Sequence, residues 1–269
     1  MSGTASGPPA GLPARLEVAG GIATITLSNP RGMNGIDKPL TQTLLGLLDE
    51  AEARPGVRVL LTLAEGPAWC AGGNVAAMAS LADGTHDWIR DVGADVNALI
   101  PRIHESRLLS VAGVSGAVAG GGLGLMGAHD VVLATAAASF SFAYGGLGLS
   151  PDAGGSFFVV RDLGYRRALD LYLSNARLEA EAARNMGLIS RIVADDAALR
   201  AAVAGLAAGP AEAIAETKRL MRTAAGGLLR AQLEDEIRTL ADGTRGAEFR
   251  EGLAAFLERR RPAFPGAPA

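Results

Sequence analysis

The stretch "AGGGLGLMG", residues Ala119–Gly127, contains the pattern G-x-G-x-x-G from Gly122 to Gly127. It follows an apolar segment, "LLSVAGV", that predicts a buried strand, and the residues after it predict a helix. A glycine loop between a strand and a helix is typical of dinucleotide binding, which also needs an acidic residue about 20 positions further on. No Asp or Glu occurs between Asp130 and Asp152. The stretch therefore indicates an α/β fold without indicating a dinucleotide.

The composition limits the classes of function. Hydrophobic residues make up 49% of the 269 residues and charged residues 20%, which is enough apolar material for a large buried core. With a net charge of −3 and no long basic run, we expect no nucleic-acid partner. The single cysteine, Cys70, excludes an intramolecular disulfide and favours a reducing compartment. The three histidines lack the spacing of metal ligands, so we expect no metal site.

No stretch of the sequence predicts a membrane span or a secretion signal. The first residues lack a positive region followed by an apolar one. The longest apolar stretch is dense in glycine and ends at His129 and Asp130, so we interpret it as buried strand and loop. We therefore expect a soluble, cytoplasmic protein without a membrane partner, in which residues 1–13, rich in Gly, Pro and Ser, are disordered.

The order of predicted elements favours an α/β core followed by a helical region. Arg15–Val18 and Ile22–Leu27 predict a hairpin with a Gly-Gly turn. Apolar spacing predicts helices over Pro39–Ala53 and over Asp87–Glu105, the second interrupted near Pro101. Short strands alternate with helices up to about residue 200, and almost everything beyond is amphipathic helix, including 244–260.

Two glycine-bearing loops each follow an apolar strand. One is Ala71-Gly72-Gly73-Asn74, in a segment expected to be loop, and the other is Gly120-Gly121-Gly122. Each loop presents unhindered backbone N–H groups, and two such groups that converge on one oxygen form an oxyanion hole. Either loop taken alone is better interpreted as a tight turn.

Six motifs in this order resemble the crotonase (enoyl-CoA hydratase/isomerase) superfamily over residues 15–264. They are "NPRGMNGID" at 29–37, "WCAGGNVAAM" at 69–78, "VAGVSGAVAGGGLGLMGAHDVVLAT" at 111–135, "GLGLSPDAGGSFFVVRDLGYRRALDLYL" at 146–173, "EAARNMGLISRIV" at 181–193 and "FLERRRPAF" at 256–264. The resemblance is closest to members with a single Asp base in the G-L-x-P-D-A-G-G segment. It implies a ββα spiral core over residues 14–200 and a helical C-terminal region for oligomerisation over 201–269.

The same resemblance implies an acyl-CoA thioester substrate and an oxyanion hole made by the N–H groups of Gly73 and Gly121. It implies no cofactor other than the coenzyme A of the substrate, and a homotrimer or homohexamer. The substrate-binding residues implied by matching positions are Ala71, Gly72, Met33, Ile36, Gly120 and Tyr144.

The acidic residues separate the activities within this family. Hydratases of the family carry two glutamates, at the positions held here by Gly124 and Tyr144. Asp152 stands where isomerases of the family carry their acid. One carboxylate suffices to move a proton from C2 to C4 of an enoyl thioester, so we expect an isomerase with Asp152 as acid and base. The alternatives are a hydratase, a thioester hydrolase, a non-catalytic acyl-CoA-binding subunit, or Asp152 as a mere helix cap.

Three other residues have plainer interpretations. Cys70 is expected to be buried filler rather than a nucleophile. Asp130 is expected to fix the start of a strand rather than act in catalysis. Asn74, where the family has Asp, is expected to cap the helix that follows it.

Overall fold

The computed structural model describes residues 11–81, 84–226 and 228–264. Most of the segment expected to be disordered, residues 1–10, lies outside the described residues. At the end of that segment, the carbonyl groups of Leu12 and Pro13 accept hydrogen bonds from Ser28. The described chain is therefore anchored just before its first strand.

The strands of the described chain form one six-stranded and one four-stranded sheet. The strands are β1 (Ala14–Ala19), β2 (Ile22–Leu27), β3 (Val59–Ala64), β4 (Ala68–Cys70), β5 (Leu109–Val114), β6 (Ala117–Ala119), β7 (Val131–Thr135), β8 (Ser139–Ser141), β9 (Leu178–Glu179) and β10 (Arg191–Val193). The larger sheet has the order β1-β2-β3-β5-β7-β10 and the smaller one β4-β6-β8-β9. All neighbouring pairs are parallel except β1–β2 and β8–β9.

The two sheets are traced by a repeating spiral. Three times in succession, a strand of the larger sheet (β3, β5, β7) is followed within a few residues by a strand of the smaller one (β4, β6, β8). The chain then passes through helices and returns to the larger sheet. The residues of β5 are all buried, as expected for a central strand of a parallel sheet covered on both faces. The β1–β2 hairpin confirms the prediction, with Gly20 and Gly21 at its turn.

Helices cover the sheets, and they make up nearly all of the described chain after β10. They are α1 (Lys38–Ala53), α2 (Val75–Ser80), α3 (Thr85–Glu105), α4 (Gly121–Gly127), α5 (Gly155–Leu163), α6 (Tyr165–Ser174), α7 (Ala180–Met186), α8 (Asp196–Ala207), α9 (Ala211–Ala224), α10 (Leu229–Gly243) and α11 (Ala247–Glu258). Within the described ranges no single helix is both long and apolar enough to cross a bilayer. The bent pair α8 and α9 would pass by length and composition alone.

Two predictions of local structure were wrong. Helix α3 runs without interruption and contains Pro101, whereas an interruption near Pro101 was predicted. Proline removes one hydrogen bond, but the buried Leu99, Ile100 and Ile103 around it hold the helix against its neighbours. The segment expected to be a loop before Ala71 contains β4, a three-residue strand. Such short strands carry too few residues to show an alternating pattern.

Candidate active site

The two glycine loops meet in space. A Cβ atom on Gly72 would lie 2.8 Å from the carbonyl oxygen of Ala119 and 3.1 Å from the nitrogen of Gly121. Gly72 also has a φ of +87°, a left-handed conformation that residues with a side chain rarely adopt. Only glycine at this position lets the backbone of the first loop approach the backbone of the second so closely.

In the first loop, the N–H of Gly73 takes no part in the pairing between this loop and Ile36. Gly73 forms a parallel bridge with Ile36. In this bridge the N–H of Ile36 donates to the carbonyl oxygen of Gly72 over 2.7 Å, and Asn74 donates to the carbonyl oxygen of Ile36 over 3.1 Å. The flanking residues thus supply both hydrogen bonds, and the N–H of Gly73 points to the opposite side.

The second loop presents the N–H of Gly121 in a related way. Gly121 is the first residue of α4, and Gly120 precedes it without a side-chain cap. The first N–H groups of a helix have no partner within the helix and carry its positive dipole end. The N–H of Gly121 is therefore available to an acceptor outside the helix.

Asp152 lies against this second loop. A Cβ on Gly121 would lie 2.9 Å from Asp152 Oδ1 and 3.2 Å from Ile36 Cδ1. The hydroxyl of Tyr144 donates a hydrogen bond to Asp152 Oδ1 over 2.6 Å and accepts one from the backbone N–H of Asp152 over 3.1 Å. Tyr144 itself is buried, with 6% of its surface exposed. The sequence-predicted Gly121, Ile36, Tyr144 and Asp152 thus lie together.

Burial is the main influence on the protonation states of Asp152 and Tyr144. Burial raises the pKa of the Asp152 carboxyl above its ordinary value, although the hydrogen bond from Tyr144 works in the opposite direction. Burial and the negative charge of Asp152 raise the pKa of Tyr144 well above its ordinary range. Tyr144 therefore remains a neutral donor, while Asp152 is a stronger base than an exposed aspartate.

The side chain of Asp152 does not cap α5, so the capping alternative was wrong. The N-cap of α5 is Gly154, which has no side chain to serve the purpose. Glu236 of α10 supplies the missing acceptor: its Oε2 accepts from the N–H of Gly154 over 2.6 Å, and its Oε1 accepts from the N–H of Ser156 over 3.0 Å. The Asp152 carboxylate is left facing the glycine loops.

Position 124 has no room for the glutamate of a hydratase. A Cβ on Gly124 would lie 2.6 Å from the carbonyl carbon of Ala153 and 3.0 Å from the nitrogen of Gly155. Both distances are shorter than an ordinary contact, which begins at 3.4 Å. The turn that carries Asp152 occupies the space that a side chain at position 124 would need.

The other predicted substrate-binding residues hold or border the first loop. The N–H of Ala71 donates to the carbonyl oxygen of Met33 over 3.1 Å, which attaches this loop to the segment after β2. The side chain of Met33 is 40% exposed, whereas Ile36 is buried. Gly120 lies near Tyr144, because a Cβ on Gly120 would be 3.9 Å from the ring carbon that carries the hydroxyl.

The plainer interpretations of three residues hold. Cys70 is fully buried, and burial raises the pKa of its thiol to about 12, so it is a poor nucleophile. Asp130 Oδ2 accepts hydrogen bonds from the N–H and the hydroxyl of Ser110, and it pairs with Lys218, so it ties β5 and α9 to the start of β7. Asn74 Oδ1 accepts from the N–H of Ala77 and caps α2.

His129 also has a structural role. Its ring nitrogens lie 2.8 Å from Thr62 Oγ1 and 3.0 Å from the carbonyl oxygen of Leu125. Burial lowers the pKa of His129 to about 4, so the ring is neutral. In the part of the chain that the structure describes, no group of three or more His, Cys, Asp or Glu side chains is arranged to hold a metal ion.

Sequence reasoning missed Glu236. A signal was present in the spacing of α10, where Leu229, Leu233 and Leu240 share one buried face. Position 236 falls on the same face at helical spacing, so an acidic residue there was placed to be buried. Its contact with Gly154, 82 residues earlier in the chain, could not be read from the sequence.

Comparison with known proteins identifies the family. The enoyl-CoA hydratase/isomerase family model matches residues 17–267. The chain belongs to the enoyl-CoA hydratase/isomerase family. It is 35% identical to a probable enoyl-CoA hydratase of Rhodobacter capsulatus, over 94% of this chain and 97% of that protein. It is 31% identical to a 1,2-epoxyphenylacetyl-CoA isomerase of Escherichia coli, over 91% of this chain and 95% of that protein.

The spiral fold is that of the family. The structure of an enoyl-CoA hydratase from Mycobacterium avium subsp. paratuberculosis superposes with a TM-score of 0.84 at 28% identity, over 94% of this chain and 98% of the other. The α/β crotonase-type fold expected from the six motifs is therefore confirmed. The division at residue 200 stays a prediction, and α8 spans that position.

Proposed function

We propose that this family member is an acyl-CoA isomerase that shifts a double bond through an enolate, with Asp152 as acid and base. One observation carries the proposal: the Asp152 carboxylate adjoins Gly121, while the backbone of Ala153 fills the space of a second acid at Gly124. An isomerisation needs one group to carry one proton, whereas hydration needs water to be deprotonated and a proton to be delivered to carbon.

The proposed reaction is balanced by this one carboxylate. Asp152 takes a proton from C2 of a 3-enoyl thioester, and the electron pair of the C–H bond moves into a dienolate whose negative charge rests on the thioester oxygen. The protonated Asp152 then delivers the proton to C4, and the 2-enoyl thioester forms. The raised pKa of Asp152 suits both steps, because an ordinary aspartate is too weak a base.

The backbone N–H groups of Gly73 and Gly121 are proposed to hold the enolate oxygen. Each donor of this kind contributes about 3 kcal/mol of transition-state stabilisation. Fixed backbone donors need no reorganisation as the charge develops on the oxygen. The reaction calls for no cofactor beyond the coenzyme A of the substrate, and no residue is proposed to bind a metal.

A hydratase is the second candidate. The observation in its favour is the 35% identity to the Rhodobacter capsulatus protein named as a probable enoyl-CoA hydratase. Thioester hydrolysis and binding without catalysis are further alternatives. The buried pair of Tyr144 and Asp152 argues against a subunit that only binds, because a buried carboxylate without a cation partner is costly to keep.

The test uses two substrates side by side. We expect the purified protein to convert 3-hexenoyl-CoA into the conjugated 2-enoyl thioester, followed by its absorbance, with a kcat/KM at least about 100-fold above that for hydration of 2-butenoyl-CoA. Faster hydration than isomerisation would overturn the proposal in favour of the hydratase. Free coenzyme A, measured with a thiol reagent, would indicate a hydrolase, and no reaction of any kind would favour a binding subunit.

We also propose a homotrimer or homohexamer. On α11, Phe249 is buried but Phe256 and Leu257 are each 57% exposed, so part of the apolar face is uncovered in the single chain. A second subunit would cover it. Light scattering of the purified protein should give a mass of three or six chains, and a monomer would refute this assembly. The cytoplasmic location stays a prediction.

A further inference from the structure

The C-terminal helix α10 carries a buried carboxylate that the reaction as described does not use. Glu236 is 5% exposed. It stands on the face of α10 that also buries Leu233 and Leu240, where an apolar residue would be the ordinary choice. An ionised carboxylate at such a site costs free energy unless its oxygens are well satisfied.

The contacts of Glu236 all go to the turn that follows Asp152. Its two oxygens accept from the N–H of Gly154, the N–H of Ser156 and the hydroxyl of Ser156, the last over 2.5 Å. The side chain of Gln232, one helical turn earlier, donates to the same hydroxyl over 2.7 Å. The side chain of Glu236 therefore fixes the backbone two and four residues beyond Asp152.

This arrangement separates two roles that one carboxylate cannot fill together. The N–H groups at the start of α5 need an acceptor, and Asp152 is close enough in sequence to be the usual one. Because Glu236 reaches across from a distant helix and takes that role, the oxygens of Asp152 remain free to face Gly121 and to accept from Tyr144.

Glu236 also acts on Asp152 through its charge. The groups that shift the pKa of Glu236 are its burial, the Ser156 hydroxyl, the two backbone N–H groups and the Asp152 carboxylate. Tyr144 is the other titratable group that faces it, and it too is shifted by the charge of Glu236. None of these groups is a cation. Because burial and the charge of Asp152 raise the pKa of Glu236 to about 7, Glu236 ionises after Asp152, and its negative charge makes Asp152 a stronger base only above that pH.

We propose that Glu236 is a positioning residue for the Asp152 base, which it fixes in place through its hydrogen bonds to Gly154 and Ser156 and to which it is coupled by charge. The inference rests on the proposed role of Asp152 as base. It adds that the two carboxylates titrate as a coupled pair. The C-terminal helical region is thereby part of the catalytic apparatus through one side chain of α10.

The first experiment follows Asp152 directly and needs no substrate. In protein labelled with ¹³C at the aspartate carboxyl carbon, the Asp152 signal is identified by its absence in Asp152→Asn and titrated by NMR. We expect the wild-type signal to show a first step as Asp152 ionises and a second, smaller step as Glu236 ionises, and we expect the second step to be absent in Glu236→Gln. The matched control is Glu234→Gln, an exposed residue of the same helix that loses the same charge, and it should titrate as the wild type does.

The second experiment measures kcat/KM against pH with 3-hexenoyl-CoA. Glu236→Gln should lose about 10- to 100-fold, as other supporting partners of reactive groups do, and the change in kcat/KM that accompanies ionisation of Glu236 near pH 7 should disappear. Ser156→Ala removes one hydrogen bond to Glu236 without changing charge, so it should lose some activity and keep that change. Thermal unfolding of each variant establishes that it is folded.

The outcomes are distinct. An Asp152 signal with the same titration in wild type and Glu236→Gln, or a single step in the wild type, would overturn the coupling. Lost activity with an unaltered pH profile near pH 7 would reduce Glu236 to a structural cap and overturn the proposal as well. If Glu236→Gln does not fold, the wild-type titration alone decides. Failure of isomerase activity would refute the proposed function, while the NMR titration would still test the coupling.

Discussion

Adding a single methyl group at position 124 tests whether the turn after Asp152 fills the space next to α4. In Gly124→Ala the new Cβ would lie 2.6 Å from the carbonyl carbon of Ala153, whereas ordinary contacts begin at 3.4 Å. The carbonyl oxygen of Ala153 is nearer still, so the turn must move by more than about 1 Å, because the residues of α4 are buried and cannot yield instead. Asp152 precedes Ala153 directly and moves with it.

The size of the effect follows from this displacement. A misplacement of about 1 Å at a reacting group costs roughly 100-fold in rate, so kcat for 3-hexenoyl-CoA should fall by about that factor. Overpacking in a buried segment should also cost about 1–3 kcal/mol of the free energy of unfolding. The loss should appear in kcat rather than in KM, because Gly73 and Gly121, which are proposed to hold the thioester oxygen, are not altered.

The assay is the appearance of the conjugated thioester, with thermal unfolding measured alongside. The matched control is Gly205→Ala in α8, where a Cβ would meet nothing within 4 Å. This substitution should leave kcat unchanged and stabilise the protein by up to about 1 kcal/mol through helix propensity. Wild-type kcat and stability in Gly124→Ala would refute the argument that the turn after Asp152 fills the space of a second acid.

Three further outcomes are expected. In Tyr144→Phe the hydrogen bond that lowers the pKa of Asp152 is lost, so the acid limb of kcat/KM should move to higher pH, and an unmoved limb would contradict this. The pKa of Glu236 is raised to about 7, so its contribution to stability is complete below pH 4.5 and is lost as pH rises through 7. The unfolding free energy of wild type relative to Glu236→Gln should therefore fall by about 3 kcal/mol over that range. A difference that stays constant with pH in urea titrations would contradict this. Lys218→Met leaves the charge of Asp130 without its buried partner and should cost about 3 kcal/mol in the same titrations, whereas exposed Arg219→Met should cost almost nothing.

The elements predicted correctly from the sequence are those whose signal is local. The hairpin turn at Gly20 and Gly21, the helix over α1 and the long apolar strands each carry their pattern within about 15 residues. Strands β4 and β6 of the smaller sheet were not predicted, because at three residues each they are held by pairing to distant strands and not by their own sequence.

The same distinction between local and long-range signals applies to the candidate site. Glycines and an aspartate in a recognisable order located Gly73, Gly121 and Asp152, and the structure gathers them at one place. What the sequence could not give is the set of contacts that control Asp152. The hydroxyl of Tyr144 lies eight residues away but reaches Asp152 only through the folded turn, and Glu236 binds the backbone after Asp152 from another helix.

The most direct test of the central claim is the rate of 3-hexenoyl-CoA isomerisation in wild type and in Asp152→Asn. The asparagine keeps the size of the side chain and can still accept the hydrogen bond from Tyr144, but it cannot take a proton. The account predicts conversion by the wild type and a loss of about 10²- to 10⁴-fold in the variant, with a melting temperature close to the wild-type value. Conversion at the wild-type rate in Asp152→Asn would contradict the account, because the proton would then be carried by another group.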